Sequence, residues 1–222
     1  MVSYVHQILE FLGHKSASIG TLGIEATETL PKNLLEQSSS MTTVDPITLR
    51  KVLHAFKDMG IENVAFEASS HGLYQRRLGD IKVRSAAFTS FSQDHLEYHQ
   101  TMESYLCAKL ILFTENLLGT GEAVINSEIL FFDFIKKFLL ERKIAYSTVG
   151  KNGDVKIREC KQSIAGQEIL YEFAGKKYEF TTGIIGSFQA TNILIAAKLV
   201  HNLGVSFSAI AEVLPKLQAV CG

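Results

Sequence analysis

The sequence predicts an α/β fold in which a mostly parallel sheet is flanked by helices, with a small antiparallel sheet at its side. Two observations predict this fold. Short apolar segments alternate with amphipathic segments of helical period along the first two thirds of the chain, as βαβ units require. Between residues 154 and 182 the pattern changes to apolar–polar alternation interrupted by glycine turns, which is typical of an antiparallel meander.

The first two thirds of the chain contain the alternating helices and strands. An apolar stripe at helical period predicts a helix over residues 2–12, and Asp45 followed by Pro46 marks the start of a second helix that Gly60 ends. The other helices predicted here cover residues 102–115 and 130–142, and the strands cover residues 16–22, 63–68, 85–89, 123–126 and 144–149.

Three short strands form the predicted meander, and two helices follow it. The strands cover residues 155–160, 168–173 and 177–180, and the helices cover residues 190–203 and 206–217. The turns between the strands contain Ala165-Gly166 and Ala174-Gly175. We interpret all 222 residues as one domain, with the meander at about residues 154–182 as an internal part of it.

Composition excludes several classes of function. Lys and Arg total 22 against 23 Asp and Glu, so the net charge is −1 and no basic excess exists for binding nucleic acid. No apolar stretch reaches the roughly 20 residues of a membrane-spanning helix, and the first residues do not resemble a signal peptide. The scattered Cys107, Cys160 and Cys221 are expected as free thiols in a reducing compartment. We therefore expect a cytoplasmic protein that contacts neither nucleic acid nor a membrane.

The densest polar cluster, residues 94–99, follows a predicted strand, and α/β sheets bind ligands at the carboxyl ends of parallel strands. His95 and His99 are four residues apart, a spacing that puts two imidazoles on one face of a helix, as in metal sites. The alternative is structural: Asp94 caps a helix and the histidines lie on the surface. The pattern alone leaves both interpretations open.

A second polar cluster begins at Glu67, at the end of another predicted strand. The carboxylate of Glu67 offers oxygen ligands to a hard cation. Ser69 and Ser70 are suited to cap a helix, and Gln75 and Arg77 would then lie one to two turns inside it. An arginine facing a cleft is suited to bind a carboxylate or phosphate, whereas the structural alternative is a solvated surface charge.

Lys109 lies in the middle of an apolar helical run. The usual explanation is a side chain whose stem is covered and whose amine reaches water. A buried lysine can instead supply a neutral amine for covalent chemistry. The phosphate-binding patterns G-x-x-x-x-G-K-[ST] and G-x-G-x-x-G do not occur in the chain.

Seven short segments occur in an order and register that match one family. They are Ile19-Gly20-Thr21-Leu22-Gly23, Met41-Thr42-Thr43, Glu67-Ala68-Ser69-Ser70-His71-Gly72-Leu73 with Gln75 and Arg77, Phe88-Thr89, Asp94-His95-Leu96-Glu97-Tyr98-His99, Ala108-Lys109 and Val124-Ile125-Asn126. With these motifs the chain resembles the Mur ligases of peptidoglycan synthesis along essentially its whole length. Within that family it most resembles the branch that adds the third peptide residue. The resemblance implies the central, P-loop-type ATP-binding domain of that family.

The resemblance also implies an activity, an ATP-dependent amide-forming ligation that passes through an acyl phosphate. The implied partners are ATP, UDP-N-acetylmuramoyl-dipeptide and diaminopimelate, and the implied cofactor is Mg²⁺. By the same resemblance Glu67, His95 and Lys109 are metal ligands, with His95 and Lys109 catalytic and Lys109 carbamylated. The residues implied to hold the UDP substrate are Thr42, Thr43, Ser69, Gln75 and Arg77, and the residue implied on the adenine side of the nucleotide is Asn192.

Three positions depart from the family pattern: Ser90 and Gln189 stand where it has Asn, and Glu128 stands where it has Asp. In the family a phosphate-binding loop directly precedes the first helix, and further domains lie on both sides. The chain is therefore expected to be a monomeric central-domain fragment, inactive or nearly inactive by itself.

Three alternatives stay open. A lysine-adding ligase of the same family would share this central domain, because the added residue is recognised in another domain. A remnant that binds the substrate without catalysis is the second alternative. The third is a zinc hydrolase that uses Glu67, His95 and His99.

Overall fold

The computed structural model of the protein describes residues 1–31, 42–93 and 96–219. These residues form two compact units. The first unit takes its described residues from Val2–Lys82 and Gln93–Asn116, and the second contains Val83–Ser92 and the described residues from Leu117 onward. Each unit is built on its own β-sheet.

The first unit combines a three-stranded sheet with short helices. Its strands are β1 (Ser16–Gly20), β2 (Gly23–Ala26) and β3 (Asn63–Phe66), in the order β2-β1-β3, with β1 antiparallel to β2 and parallel to β3. Its helices are α1 (Val2–Phe11), α2 (Pro46–Asp58), α3 (Ser70–Tyr74), α4 (Leu96–His99) and α5 (Met102–Ile111), and a π-helical turn follows α5 at Leu112–Asn116.

Helix α2 begins where the sequence predicts. Asp45 Oδ1 accepts hydrogen bonds from the backbone N–H groups of Ile47 and Thr48, both at 3.0 Å, and so caps the helix. Pro46 occupies the first turn, where its missing N–H leaves no bond unmade. The buried side of α2 belongs to one apolar core with β1 and α3, whose members include Ile19, Leu49, Phe56 and Leu73.

The second unit is a six-stranded sheet with three helices. Its strands, in spatial order, are β4 (Val83–Phe88), β5 (Leu117–Asn126), β6 (Ala145–Gly150), β7 (Val155–Ser163), β8 (Gly166–Phe173) and β9 (Lys176–Thr182). Strands β4 to β7 are parallel, and β7 to β9 are antiparallel. Its helices are α6 (Phe132–Glu141), α7 (Ser187–His201) and α8 (Phe207–Val213), followed by a 3₁₀ turn at Leu214–Lys216.

The predicted fold class is confirmed, and several details differ from the prediction. The strand predicted over residues 123–126 begins at Leu117, and β1 and β3 form a sheet of their own with β2. The sequence does not predict β2, because four residues carry too short an alternation; the positive φ of Gly23, 101°, permits the turn that precedes it. The meander is not a separate sheet, since β7 pairs in parallel with the end of β6. The helix predicted over residues 102–115 ends as an α-helix at Ile111 and continues as the π-helical turn.

The predicted free thiols are found where the structure describes the cysteines, whereas the reducing compartment stays a prediction. Cys107 and Cys160 are free thiols, and Cys221 lies outside the described residues. Cys160 Sγ donates to Gln167 Oε1 at 3.0 Å, and burial raises the pKa of this thiol. Across the residues that the structure describes, no helix is long and apolar enough to cross a membrane.

Candidate functional site

The carboxylate of Glu67 lies at the carboxyl ends of β1 and β3. These strands are parallel neighbours, so their ends meet, with Glu67 directly after β3 and Thr21 directly after β1. Glu67 Oε2 accepts hydrogen bonds from Thr21 N at 2.9 Å and from Thr21 Oγ1 at 2.7 Å. Among the described residues Glu67 Oε1 has no hydrogen-bond donor. One carboxyl oxygen is therefore held by the protein, and the other is available to a ligand.

Gly20 makes this close approach possible. A Cβ at position 20 would lie 2.8 Å from Glu67 Cδ, so any side chain there would push the carboxylate away. Thr21 Oγ1 also lies 3.1 Å from Thr42 Oγ1. The first of the predicted substrate-binding residues is thus connected to the carboxylate through Thr21.

Thr43 joins the end of β3 to the start of α3. Its buried hydroxyl donates to the backbone oxygen of Glu67 at 3.0 Å and accepts a hydrogen bond from Ser69 N–H at 2.8 Å. Ser69 Oγ lies 3.1 Å from the same hydroxyl and caps α3 by accepting from Gly72 N–H at 3.1 Å. Gly72 is required here, because a Cβ would lie 2.7 Å from Thr43 Cβ. The capping role expected of Ser69 is confirmed.

The sequence analysis expects Gln75 and Arg77 inside the helix that Ser69 caps, and this prediction is wrong. Helix α3 ends at Tyr74, and Gln75 is its C-cap. Arg76 adopts a left-handed conformation with φ of 55°, which ends the helix after a little more than one turn. The change of direction carries Arg77 back to the loop that contains Thr43.

Arg77 is held by three of its own hydrogen bonds. Its Nη1 donates to the backbone oxygen of Thr43 at 2.7 Å, and its Nε and Nη2 donate to Gln75 Oε1 at 2.9 and 2.7 Å. Gln75 Nε2 in turn donates to the hydroxyl oxygen of Tyr98 at 3.0 Å. The guanidinium and the amide therefore fix each other's orientation.

These bonds form one continuous chain of contacts, which we call the site network. Its members are Thr21, Thr42, Thr43, Glu67, Ser69, Gln75, Arg77 and Tyr98. It brings together all five predicted substrate-binding residues and the predicted metal ligand Glu67. Sequence reasoning assigned no role to Thr21 or Tyr98. The position of Thr21 at the end of β1 could have indicated one, whereas no local pattern links Tyr98 to Gln75.

Lys109 lies half-buried on α5, with Nζ 5.2 Å from the centroid of the Tyr105 ring. Tyr105 stacks on His99 with 5.3 Å between ring centroids, and His99 lies 5.4 Å from His71. The ring of His71 lies 4.1 Å from that of Tyr98. A cluster of rings therefore extends from Lys109 to the site network.

Asp94 and His95 lie outside the described residues, so the catalytic and metal-binding roles of His95 stay predictions. Within the described ranges, no group of three or more His, Cys, Asp and Glu side chains is arranged to hold a metal ion. The structural alternative for the two histidines places both on the surface. For His99 this is wrong, because the side chain is only 4% exposed.

Asn192 belongs to the second unit, in the first half of α7. Its Nδ2 lies 3.4 Å from Gln189 Oε1, and Phe188 at the start of the same helix is 65% exposed. In the same unit Asn126, at the end of β5, donates to the backbone oxygen of Thr89 at 2.8 Å. These contacts do not test nucleotide binding, so the adenine-side role of Asn192 stays a prediction.

Comparison with known proteins agrees with the motifs. Residues 1–200 match the family model described as the Mur ligase middle domain. A UDP-N-acetylmuramoyl-L-alanyl-D-glutamate–2,6-diaminopimelate ligase of Rickettsia bellii (strain RML369-C) is 49% identical over 222 residues, which are 100% of this chain and 46% of the relative. The ligase of the same name from Rickettsia conorii (strain ATCC VR-613 / Malish 7) is 46% identical over 222 residues, with the same 100% and 46% coverage.

A solved structure of a ligase of that name has a TM-score of 0.85 and 27% sequence identity, and the alignment covers 100% of this chain and 44% of that one. The chain spans about half the length of the curated relatives it matches. Because the family model covers most of the sequence, the chain belongs to the Mur ligase middle-domain family.

Proposed function

We propose that this chain is the central part of an ATP-dependent ligase that joins diaminopimelate to UDP-N-acetylmuramoyl-L-alanyl-D-glutamate. The observation that carries the proposal is the site network, in which the five residues that the family resemblance assigns to the UDP substrate are connected to one another and to Glu67. The names of the two Rickettsia relatives support this choice of substrates.

Arg77 is the group best suited to bind an anionic part of the UDP substrate. Its Nε, Nη1 and Nη2 each donate to a protein oxygen, so its orientation does not depend on the ligand. A guanidinium fixed in this way loses little conformational entropy on binding a carboxylate or phosphate. Thr43, whose backbone oxygen accepts from Arg77, is itself held by hydrogen bonds to Ser69.

Glu67 fits the proposed role of a magnesium ligand. Oxygen ligands are those that Mg²⁺ takes in proteins, and Glu67 Oε1 has no donor among the described residues while Thr21 holds Oε2. Mg²⁺ bound by this carboxylate, with His95 as the second ligand implied by the resemblance, would neutralise charge on the phosphoryl group under transfer.

The proposed reaction has two steps, and the residues described here bind and orient the reactants. A carboxylate oxygen of the UDP-muramoyl-dipeptide bonds to the γ-phosphorus of ATP as the bond to ADP breaks, which forms an acyl phosphate. The amine of diaminopimelate then attacks the acyl carbon and releases phosphate. Because the rate depends mainly on position and charge, the hydrogen bonds that fix Arg77 and Glu67 matter more than any acid or base.

Lys109 is proposed to carry a carbamate. Its neutral amine would add to CO₂, forming a nitrogen–carbon bond and releasing a proton, so that an anion replaces the ammonium. The half-buried position of Lys109 on α5 partly shields its amine from water. With ¹³C-enriched CO₂, the chain should give a carbamate resonance that Lys109→Arg lacks and that the exposed-helix control Lys51→Arg retains. Equal spectra for all three proteins would contradict the carbamate.

Calorimetry with UDP-N-acetylmuramoyl-L-alanyl-D-glutamate tests the substrate assignment. The chain should give saturable heat, and Arg77→Lys should weaken binding about tenfold or more, because lysine cannot keep the three bonds that orient the guanidinium. Arg50→Lys is the matched control, since Arg50 pairs with the exposed Asp80 on the surface of the same unit. Absence of saturable heat from the unsubstituted chain would contradict the assignment.

Release of ADP tests the activity. With ATP, Mg²⁺ and the UDP-muramoyl-dipeptide, release that requires diaminopimelate supports the proposed ligase. Release that requires lysine instead identifies the lysine-adding ligase. Saturable substrate binding without release of ADP is the result expected of a central part that is inactive by itself, and robust release of ADP by this chain would contradict that expectation.

A further inference from the structure

We propose that Tyr98 is a positioning residue that fixes the amide of Gln75 and, through it, the guanidinium of Arg77. The inference rests on the proposed function, because Gln75 and Arg77 are there the residues that hold the UDP substrate. Tyr98 itself is not proposed to touch the substrate. It acts through the hydrogen bond that its hydroxyl oxygen accepts from Gln75 Nε2 at 3.0 Å.

The direction of the hydrogen bonds makes the hydroxyl necessary. Gln75 Oε1 accepts from both Nε and Nη2 of Arg77, so the amide NH₂ group must point the other way. There it meets the hydroxyl oxygen of Tyr98. A flipped amide would turn its N–H groups toward the N–H groups of Arg77 and its oxygen away from them. The two partners of Gln75 therefore select the same one of its two orientations.

The ring of Tyr98 is itself held in place. Its centroid lies 4.1 Å from that of His71, 4.9 Å from that of His99 and 5.8 Å from that of Tyr74. Three rings around one phenol restrict its rotation, so the hydroxyl oxygen is a fixed acceptor. The aromatic cluster thereby determines the orientation of the polar side chains beside it.

The hydrogen bond between Gln75 and Tyr98 is exposed to solvent and therefore contributes little to folding. Gln75 and Tyr98 are both exposed, and an exposed hydrogen bond replaces one to water with little net gain in stability. Among the described residues the second amide hydrogen of Gln75 has no acceptor. A fixed amide with one free donor is what a binding site needs, and its orientation depends on Tyr98.

The first experiment measures the orientation without any ligand. The exchange of the Arg77 Nε–H proton with water is followed by ¹⁵N NMR in the unsubstituted chain, in Tyr98→Phe and in Tyr74→Phe. Tyr98→Phe should speed the exchange about threefold or more, the factor expected for loss of one hydrogen bond, while Tyr74→Phe leaves it unchanged. Tyr74 is a matched control because its ring touches that of Tyr98 and its hydroxyl has no partner in the described part of the chain.

The second experiment measures binding of UDP-N-acetylmuramoyl-L-alanyl-D-glutamate in a double-mutant cycle. Tyr98→Phe should weaken binding about threefold to tenfold with an unchanged melting temperature, and should have no further effect in the Gln75→Ala background. A full loss in that background would mean that Tyr98 contacts the substrate directly and would overturn the positioning role. A loss that follows a lowered melting temperature would mean that Tyr98 is only structural, and it would overturn the role as well.

The two experiments separate failure of the inference from failure of the proposed function. If the unsubstituted chain does not bind the UDP substrate, the proposed function is contradicted, and the exchange of Arg77 Nε–H then decides the positioning role alone. If the substrate binds equally well to the chain and to Tyr98→Phe, the proposed function stands and the inference is wrong.

Discussion

The two units of the chain use polar networks in opposite ways. In the first unit the site network lies at the carboxyl ends of β1 and β3, and Gln75 and Tyr98 at its end are exposed. In the second unit Lys198, whose side chain is 7% exposed, donates to Glu122 at 2.8 Å and to Asn202. The amide of Asn202 then donates to Ser85 Oγ at 3.0 Å, across 117 positions of sequence.

The difference lies in which polar atoms are left for a ligand. The cation, the carboxylate and the amide of the second network satisfy one another, and that network links α7 to β4 and β5. The site network leaves Glu67 Oε1 and one amide hydrogen of Gln75 without a partner among the described residues. We call the second network closed, because its polar atoms satisfy one another, and the site network open. Substitutions in the closed network should therefore lower stability, whereas substitutions in the open network should lower ligand binding.

Lys198→Ala should have the largest effect, because it leaves the carboxylate of Glu122 partly buried without its cation. We expect a loss of about 3 kcal/mol in the free energy of unfolding, measured by urea denaturation. Lys137→Ala is the control: Lys137 and Glu141 form an exposed pair on α6, and their loss should cost less than about 0.5 kcal/mol. Similar losses of unfolding free energy in the two variants would contradict a stabilising role of the closed network.

The same network should depend on acid. Burial by itself raises the pKa of Glu122, but the hydrogen bond from Lys198 and the charge of Lys198 outweigh it and hold the pKa below its usual value of 4.5. The stability that this carboxylate contributes is therefore present above pH 4.5 and lost as the pH falls through the lower folded-state pKa. In Lys198→Ala this part of the acid dependence should disappear.

Gly20→Ala should have the next largest effect, and it tests the open network. The new Cβ would meet Glu67 Cδ at 2.8 Å, which we expect to cost about 1–3 kcal/mol of stability and to displace the carboxylate. The affinity for Mg²⁺, measured by calorimetry, should fall with it. Gly119→Ala is a control for the loss of glycine alone, because Gly119 does not have a positive φ and nothing lies within 4 Å of a Cβ there. Unchanged Mg²⁺ affinity in Gly20→Ala would remove Glu67 from the metal site.

Thr43→Val should sharpen the comparison, because Thr43 is the buried member of the open network. The variant keeps the shape and loses the hydroxyl that bonds to Glu67 O and to Ser69 N, which we expect to cost about 1–2 kcal/mol of stability. Binding of the UDP-muramoyl-dipeptide should also weaken, since the backbone oxygen of Thr43 accepts from Arg77. Thr114→Val, at an exposed hydroxyl that bonds only locally to Ile111, is the control. A loss of stability with full retention of binding would restrict Thr43 to a structural role.

The elements that the sequence predicts well are those with local causes. The start of α2 follows from Asp45 and Pro46, and the three strands of the meander follow from their alternation and glycine turns. The motifs name the candidate residues, and six of these, the five substrate-binding residues and Glu67, are connected in one network.

The connections themselves could not be predicted, because they join residues far apart in the chain. The bond from Thr43 to Ser69 spans 26 positions, and the bond from Arg77 to Thr43 spans 34. Periodicity indicates which face of an element is buried but not which partner covers it. The position of Arg77 depended on a left-handed Arg76, a conformation that no propensity favours in arginine.

The smallest expected effect concerns a closed polar cluster that lies in the first unit, the unit that also contains the open site network. This cluster tests whether a network serves stability because it is closed or because of the unit that contains it. His6 on α1 is 5% exposed, and its Nδ1 lies 2.8 Å from Ser16 Oγ, which itself donates to the backbone oxygen of His6. Burial lowers the pKa of His6, although Glu10 and Glu25 act in the opposite direction. The folded chain therefore favours the neutral imidazole.

Because the folded-state pKa of His6 is below the usual 6.5, its contribution to stability is full above pH 6.5 and declines as the pH falls toward the folded value. Between pH 7.5 and 5.5 the free energy of unfolding of the chain should fall by up to about 1 kcal/mol, a pH dependence that His6→Gln should lack. If His6→Gln keeps it too, the cluster is not closed. If the dependence is lost and binding of the UDP substrate is unchanged, then closure of a polar network, and not the unit that contains it, decides whether its residues serve stability or binding.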